Sequence, residues 1–282
     1  HDALPISNHQ IPINSVALAA VGGYGRGELS PGSDLDITII HKAKNQKLDE
    51  FISDFLYPLW SSGVQIDHSV RTPEELIEVA KTDIRVILGA LDLRFIAGNE
   101  ELSSEASEKI VKLWQTDYKK FLSDLHNSMN ERSERNGELA FLLEPDLKEA
   151  RGGLRDANTL RALSLLGRER VPLEKISEAQ VFLQNVRDSL HTAVTKPRDQ
   201  LLLTEQDKVA ELMGFNNADE LMMMVAKSAR TIDYVTDSVW HSIEHKKKKF
   251  PLRKSIRLAA GVISEAGEIN LEPNFKLNEK HI

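Results

Sequence analysis

Five glycines and two aspartates in one short stretch carry the chemistry legible in this sequence. The stretch reads Val21-Gly22-Gly23-Tyr24-Gly25-Arg26-Gly27-Glu28-Leu29-Ser30-Pro31-Gly32-Ser33-Asp34-Leu35-Asp36. Glycines this dense after an apolar run let the backbone approach a ligand and turn several N–H groups toward an anion, which is the design of a phosphate cradle. The spacing excludes two familiar cradles. A dinucleotide turn wants G-x-G-x-x-G, whereas this one is G-x-G-x-G, and a P-loop wants Lys-Ser/Thr where Ser33-Asp34 stands. Asp34 and Asp36 lie two apart on a strand and so share a face, about 6 to 7 Å apart along the backbone. Two carboxylates aimed into one site repel each other and want a cation. Together with phosphate oxygens they are the usual surroundings of Mg²⁺, so the chemistry suggested is metal-dependent attack on a nucleoside triphosphate. Gly22 and Gly23 are expected to hold the triphosphate by backbone N–H groups, and Arg26 and Ser33 by charge and hydroxyl. Asp67, on the polar side of the next strand, is the candidate third carboxylate and general base. The bland alternative is a surface turn followed by solvent-facing aspartates; the upstream Gly22-Gly23 pair and Asp67 weigh against it.

The elements that must position these groups follow from periodicity. Val16 to Val21 and the alternation of Leu35, Ile37 and Ile39 with Asp34, Asp36 and Thr38 predict two strands flanking the glycines. Leu48, Phe51, Ile52, Phe55, Leu56, Leu59 and Trp60 recur at helical spacing and predict an amphipathic helix over one sheet face. Val64, Ile66 and Val70 predict a third strand. Thr72-Pro73-Glu74-Glu75 has the form of a capping box opening a helix that runs to about Leu93. A long helix is expected from about Glu101 to Arg135, ending at Asn136-Gly137. Further helices are expected near Asp156, Ser177, Thr204 and Asn217, with capping boxes at Ser177 and Asn217. The reading is an α/β domain over residues 1–135, an all-α domain over 136–245, and a basic tail over 246–282. Met222, Met223 and Met224 are expected to fill gaps in the helical core.

Composition sets the outer limits. The chain has 282 residues, 41% hydrophobic and 28% charged, enough to bury one or two ordinary cores. No apolar run approaches the roughly 18 to 20 residues that span a bilayer, so a membrane protein is not expected. There is no cysteine, which excludes a Cys nucleophile, a thiolate zinc site and an iron–sulfur cluster, and fits the cytoplasm. The net charge is -7 even though Lys246 to Lys249, Arg253, Lys254 and Arg257 form an acid-free basic run. The remainder is therefore more acidic than the whole, which argues against nucleic acid as the main partner. The lysine run reads as a solvated helix end. The chain starts at His1 and its first methionine is Met129, so it reads as an internal piece of a longer gene product.

The glycine–aspartate stretch resembles the nucleotidyltransferase motif of the polymerase-β-like superfamily, and specifically that of the bifunctional uridylyltransferase/uridylyl-removing enzymes acting on the PII nitrogen-signalling protein. Asp67-His68-Ser69-Val70-Arg71-Thr72 is similar to another segment of that family. So are Leu143-Glu144-Pro145-Asp146-Leu147-Lys148 with Gly152-Gly153-Leu154-Arg155-Asp156, and Arg198 to Leu203. The resemblance spans roughly residues 16–245. It implies an α/β (α+β) domain with a small mixed sheet, followed by an all-α helical domain. It also implies Mg²⁺ held by Asp34 and Asp36, and transfer of UMP or AMP from the triphosphate to a PII tyrosine with release of pyrophosphate. Two departures stand out. Full-length relatives continue into an HD phosphohydrolase domain and two ACT domains, whereas the only His-Asp pair here is His1-Asp2, so only the transferase half is expected. Some relatives carry an acid where this chain has Gln65, so the third carboxylate has moved to Asp67 or is absent. Lys148 and Arg155 are candidates to reach the nucleotide, against a plain capping salt bridge. His68 is expected to be a strand histidine turned away from Asp67. The alternatives are a two-metal transferase with another acceptor and a non-catalytic module that binds PII or a nucleotide.

Overall fold

The computed structural model describes residues 15–42, 46–168, 170–247, 256–259, 262–265 and 268–271. At its centre is a four-stranded sheet in the order β3-β2-β1-β4. All five residues of β1 (Val16–Ala20) are buried, as a strand covered on both faces requires. It pairs antiparallel with β2 (Leu35–His41) on one side and β4 (Arg94–Gly98) on the other, while β2 runs parallel to β3 (Ile66–Arg71). The sheet is mixed, as expected.

Alternation decides what the sheet presents to the site. Val16, Leu18, Ile37 and Ile39 turn to one face, where a helix over Gln46–Ser61 lays Leu48, Phe51, Phe55 and Leu56 against them. Phe51 and Phe55, one helical turn apart, stack with ring centroids 5.9 Å apart. Each such side chain taken out of water contributes about 1.5–3 kcal/mol. A one-residue slip of β2 would expose Ile37 and Ile39 and drive Asp36 into that core, so the apolar face fixes the aspartates on the other. We number this helix α2, α1 being the short helix Gly22–Arg26 that follows β1.

Helix α3 (Pro73–Thr82) starts at the expected capping box: Glu75 N donates to Thr72 Oγ1 at 3.1 Å, and Thr72 N donates to Glu75 Oε2 at 2.8 Å. The helix expected to continue to Leu93 is instead two. Asp83 is extended, and its carboxylate accepts from Arg85 N at 2.8 Å to start α4 (Ile84–Ala90). β4 follows, a strand that the sequence pattern did not assign. The long helix expected over 101–135 also breaks, at Asp117, into α5 (Glu100–Thr116) and α6 (Tyr118–Asn136). Trp114 and Phe121, both buried, stack across the break at 5.2 Å, so packing runs through the interruption.

Beyond a 3₁₀ turn (Leu139–Phe141) lie α7 (Leu154–Ser164), α8 (Ser177–Ala193), α9 (Leu203–Leu212) and α10 (Ala218–Lys247). Asn217 caps α10 by accepting from Glu220 N at 2.9 Å, while the Glu220 carboxylate takes Asn216 instead of returning to Asn217. At α8 the expected box does not form: Ile176 holds the cap position and the Ser177 hydroxyl donates to Glu174 O. The three methionines are not core. Met223 is 62% exposed and its neighbours are half-buried, because Leu221 and Val225 take the inward positions.

The chain forms two compact units, residues 1–236 and 237–282, and the boundary expected after residue 135 falls inside the first. In the second, β5 (Ile256–Ala259), β6 (Val262–Glu265) and β7 (Glu268–Leu271) form an antiparallel sheet in that order, where the sequence suggested only a basic tail. His1, Asp2, Lys248, Lys249, Arg253 and Lys254 lie outside the described residues. Among the described residues, no helix is long and apolar enough to cross a membrane.

Candidate active site

The glycine stretch does not form the open turn that its composition suggested; it winds into α1. Gly25 N donates to Val21 O at 3.0 Å, and Arg94 donates from Nη2 to Tyr24 O at 2.8 Å and from Nε to Gly25 O at 3.1 Å, satisfying carbonyls at the end of the turn. Two glycines are required by what lies against them. Gly22 has φ +55°, and a Cβ there would stand 3.1 Å from Asp36 Oδ2. At Gly25 a Cβ would meet the Asp92 carbonyl oxygen at 2.1 Å. The glycines thus bring the backbone up to Asp36 on one side and to the turn after α4 on the other.

Asp36 and Asp67 are direct partners in the parallel β2–β3 ladder, so their side chains leave the same face. Two pairs further along, on the same face, Ser69 Oγ donates to Thr38 Oγ1 at 3.0 Å, which agrees with the shared side. Asp34, two residues before Asp36, completes a set of three carboxylates. Among the described residues, no side chain hydrogen-bonds or ion-pairs with any of the three. Burial raises the pKa of Asp36 above its ordinary value; the negative charges of Asp67 and Asp34 raise it further, against the pull of Lys148 and Arg26. His68 turns the other way and meets the edge of Trp60 at 5.7 Å, as expected.

These groups open onto a cleft of about 1000 Å³. All seven residues singled out from the sequence line it: Gly22, Gly23, Arg26, Ser33, Asp34, Asp36 and Asp67. Two of them are engaged elsewhere. Arg26 is paired with Glu28 Oε2 and Asp92 Oδ2, each at 2.5 Å, and Ser33 Oγ accepts from Ser30 N at 3.2 Å. Asp92 also pairs with Arg161 of α7, so one buried carboxylate ties the glycine helix to the helical region. Arg155 is paired with Glu149 at 2.7 Å, the plain salt bridge, and lines the same cleft.

A second set of groups, which the sequence reading did not single out, anchors the loop that leads into β2. Ser30 Oγ donates to Asp188 Oδ1 at 2.5 Å and accepts from Arg187 Nη1 at 2.7 Å and from Gln184 Nε2 at 3.0 Å, which exhausts a hydroxyl's capacity. Gly32 N donates to His191 Nδ1 at 3.2 Å; Nε2 therefore carries the ring proton and donates to Asp199 Oδ1 at 3.1 Å. Gln184, Arg187, Asp188 and His191 all lie on α8. Residues about 150 positions apart have no local signature of contact, and only a turn of α8 presenting Gln184, Arg187, Asp188 and His191 at helical spacing hinted at a shared face.

The site's capacity for a cation rests on the three unpartnered carboxylates. Among the described residues, no group of three or more His, Asp or Glu is drawn together as a ready-made metal cage. Mg²⁺ is commonly held by one or two carboxylates and completed by substrate phosphates and water.

Two family models match this chain. A model described as "Nucleotidyltransferase domain" matches residues 8–91, which carry all three carboxylates. One described as "GlnD PII-uridylyltransferase" matches residues 120–174 and 158–240. Three relatives are each named "Bifunctional uridylyltransferase/uridylyl-removing enzyme". That of Streptomyces coelicolor is 41% identical over 90% of this chain and 32% of its own length. That of Mycobacterium tuberculosis (strain H37Rv) is 33% identical over 90% and 33%, and that of Corynebacterium glutamicum 32% identical over 93% and 38%. The chain thus spans about a third of the length of these curated relatives.

Proposed function

The chain belongs to the GlnD PII-uridylyltransferase family and carries its nucleotidyltransferase domain, and from that premise we propose that it transfers UMP or AMP from the nucleoside triphosphate to a tyrosine of a PII signalling protein. The observation that carries the reading is the set of Asp34, Asp36 and Asp67: Asp36 and Asp67 side by side on one sheet face and Asp34 just before β2, without protein side-chain partners, at the wall of a cleft sized for a nucleotide.

Asp34 and Asp36 would hold Mg²⁺, which when bound neutralises triphosphate oxygens and favours departure of pyrophosphate. The chain's own groups do the rest. Gly22 and Gly23 would offer backbone N–H groups to the triphosphate. Asp67, next to Asp36, is placed to accept the phenol proton as the tyrosine oxygen bonds to the α-phosphorus and the bond from that phosphorus to the β-phosphate's bridging oxygen breaks. A phenol with a pKa near 10 is a poor nucleophile at neutral pH, so taking up its proton is a substantial part of the barrier.

The test is to incubate the protein with PII, Mg²⁺ and UTP or ATP separately, and to weigh PII by intact mass spectrometry. A mass gain of one nucleotidyl group with one of the two supports the reading, and which one identifies the donor. No gain with either, at enzyme amounts stoichiometric with PII, rejects it.

A further inference from the structure

Lys148 lines the same cleft as the carboxylates, the one lysine among the described residues that do so. Its backbone is fixed from both ends. Asp146 Oδ1 accepts from Lys148 N at 2.9 Å and from Glu149 N at 2.7 Å, and Arg155 N donates to Lys148 O at 3.0 Å. Leu147 beside it is fully buried, with its N–H given to Asp199 O at 2.8 Å. The two sequence blocks around Glu144-Pro145-Asp146 and Gly152-Gly153 close on each other here. A Cβ on Gly153 would lie within 3.0 Å of the carbonyl oxygens of Ala150, Leu147 and Lys148.

The Lys148 side chain is aimed by Asp199. Nζ stands 3.6 Å from Asp199 Oδ2, near enough for charge attraction but too far for a hydrogen bond. Asp199 is in turn locked through its other oxygen, by Arg187 Nε at 2.6 Å and His191 Nε2 at 3.1 Å. Among the described residues the ammonium makes no hydrogen bond, so its three donors remain for a ligand. The charge of that ammonium acts on Asp36, pulling its pKa down, which brings Lys148 within range of a ligand at the carboxylates.

We infer that Lys148 binds a phosphate group of the nucleoside triphosphate and that Asp199 is a positioning residue that acts through it. This rests on the nucleotidyl-transfer reading above. An ammonium held by charge alone can swing a few tenths of an ångström onto a phosphate oxygen without breaking a hydrogen bond, whereas an arginine clamped like Arg26 cannot. The carboxylates with their cation and the Lys148 ammonium would then grip one polyphosphate together.

The experiment measures binding of UTP and of ATP, with Mg²⁺, by calorimetry to the wild type and to Lys148→Met, Lys148→Arg, Asp199→Asn and the Lys148→Met/Asp199→Asn double variant. Lys148→Met is expected to weaken binding of the triphosphate on the order of 10- to 100-fold, as loss of a charged hydrogen bond does, and Lys148→Arg much less. Asp199→Asn alone is expected to weaken it several-fold. In the double variant that loss should vanish into the effect of Lys148→Met, because a positioning residue has nothing left to position. Circular dichroism and urea unfolding of each variant monitor the fold. Wild-type affinity in a folded Lys148→Met overturns the phosphate contact. A full Asp199→Asn loss on top of Lys148→Met overturns the positioning role, because a purely structural effect is additive. If the wild type itself binds neither triphosphate, the nucleotidyl-transfer reading fails and the inference falls with it, so the control separates the two failures.

Discussion

Asp36→Asn should make the metal-free protein more stable while removing its activity. The change keeps the side chain's shape and deletes one of three crowded charges. Adjacent strands lie about 4.8 Å apart, so the Asp36 and Asp67 carboxylates repel by roughly 3 kcal/mol at an effective dielectric of about 20 and by about 1 kcal/mol in water. Asp36 is half-buried, Asp34 adds to the repulsion, and Lys148 and Arg26 offset part of it; a net gain of about 1 kcal/mol is expected for the variant. The pH dependence fixes the sign. Burial and the two acids raise the Asp36 pKa above its ordinary 3.8. As pH rises from below that value, the unfolded chain gives up this proton first, stability falls through the folded pKa, and the full cost is present at neutral pH. Urea unfolding in EDTA should therefore find Asp36→Asn more stable than the wild type at pH 7, with the difference shrinking toward pH 3. Nucleotidyl transfer by the same variant should fall by several orders of magnitude. A variant less stable than the wild type by 1 kcal/mol or more in EDTA would mean that Asp36 serves the fold, and near-normal turnover would remove it from the metal site; either result refutes the reasoning.

Three further outcomes follow from the geometry. Gly25→Ala places a Cβ 2.1 Å from a backbone oxygen and should cost about 2 kcal/mol or more in urea unfolding; equal stability would show that the α1–Asp92 approach is looser than described. Asp67→Asn should depress turnover far more than triphosphate affinity, the pattern of a group needed mainly in the transition state, and the converse result would make it a ground-state ligand. Burial pushes the Asp199 carboxyl up, but His191, Arg187 and Lys148 outweigh it and hold it well below the usual carboxylate range. Its stabilisation is present above its unfolded value and is lost as pH falls below 3.8 toward the folded one. Asp199→Asn should thus flatten the acid limb of a stability–pH curve between pH 5 and 2, and an unchanged limb would assign that loss to other groups.

What the sequence made legible is what short-range physics writes into it. The alternation through Ile37 and Ile39 located β2 and the face of its aspartates, and the Thr72–Glu75 pair located a helix start to the residue. Breaks at Asp83 and Asp117 were not legible, because each aspartate sits inside a run whose apolar period continues across it and only the tertiary packing, such as Trp114 on Phe121, decides where the axis turns. β4 is five residues long and lacks a period long enough to read. The glycines were recognised as close-approach residues, but what they approach was not foreseen: Asp36 and the Asp92 carbonyl crowd them as closely as any ligand would. The partners of Arg26 lie 2 and 66 residues away, and a charge meant for phosphate cannot be told from one committed to a buried acid without coordinates.

The deepest dependence is of the motif on α8. Three like charges at one end of β2 tend to push the preceding loop outward, and nothing within that loop opposes them except the Ser30–Ser33 turn. The restraint comes from α8, where Gln184, Arg187 and Asp188 saturate the Ser30 hydroxyl and His191 takes the Gly32 N–H. The same helix supplies Arg187 and His191 to Asp199, and through it sets Lys148. One helix thus holds both sets of groups, the carboxylates through the loop and the ammonium through Asp199. Leu183, Val186 and Leu190, all fully buried, fix where that helix lies. Their packing therefore sets how the carboxylates and the lysine stand to one another, and, on the proposed reading, how a polyphosphate fits between them.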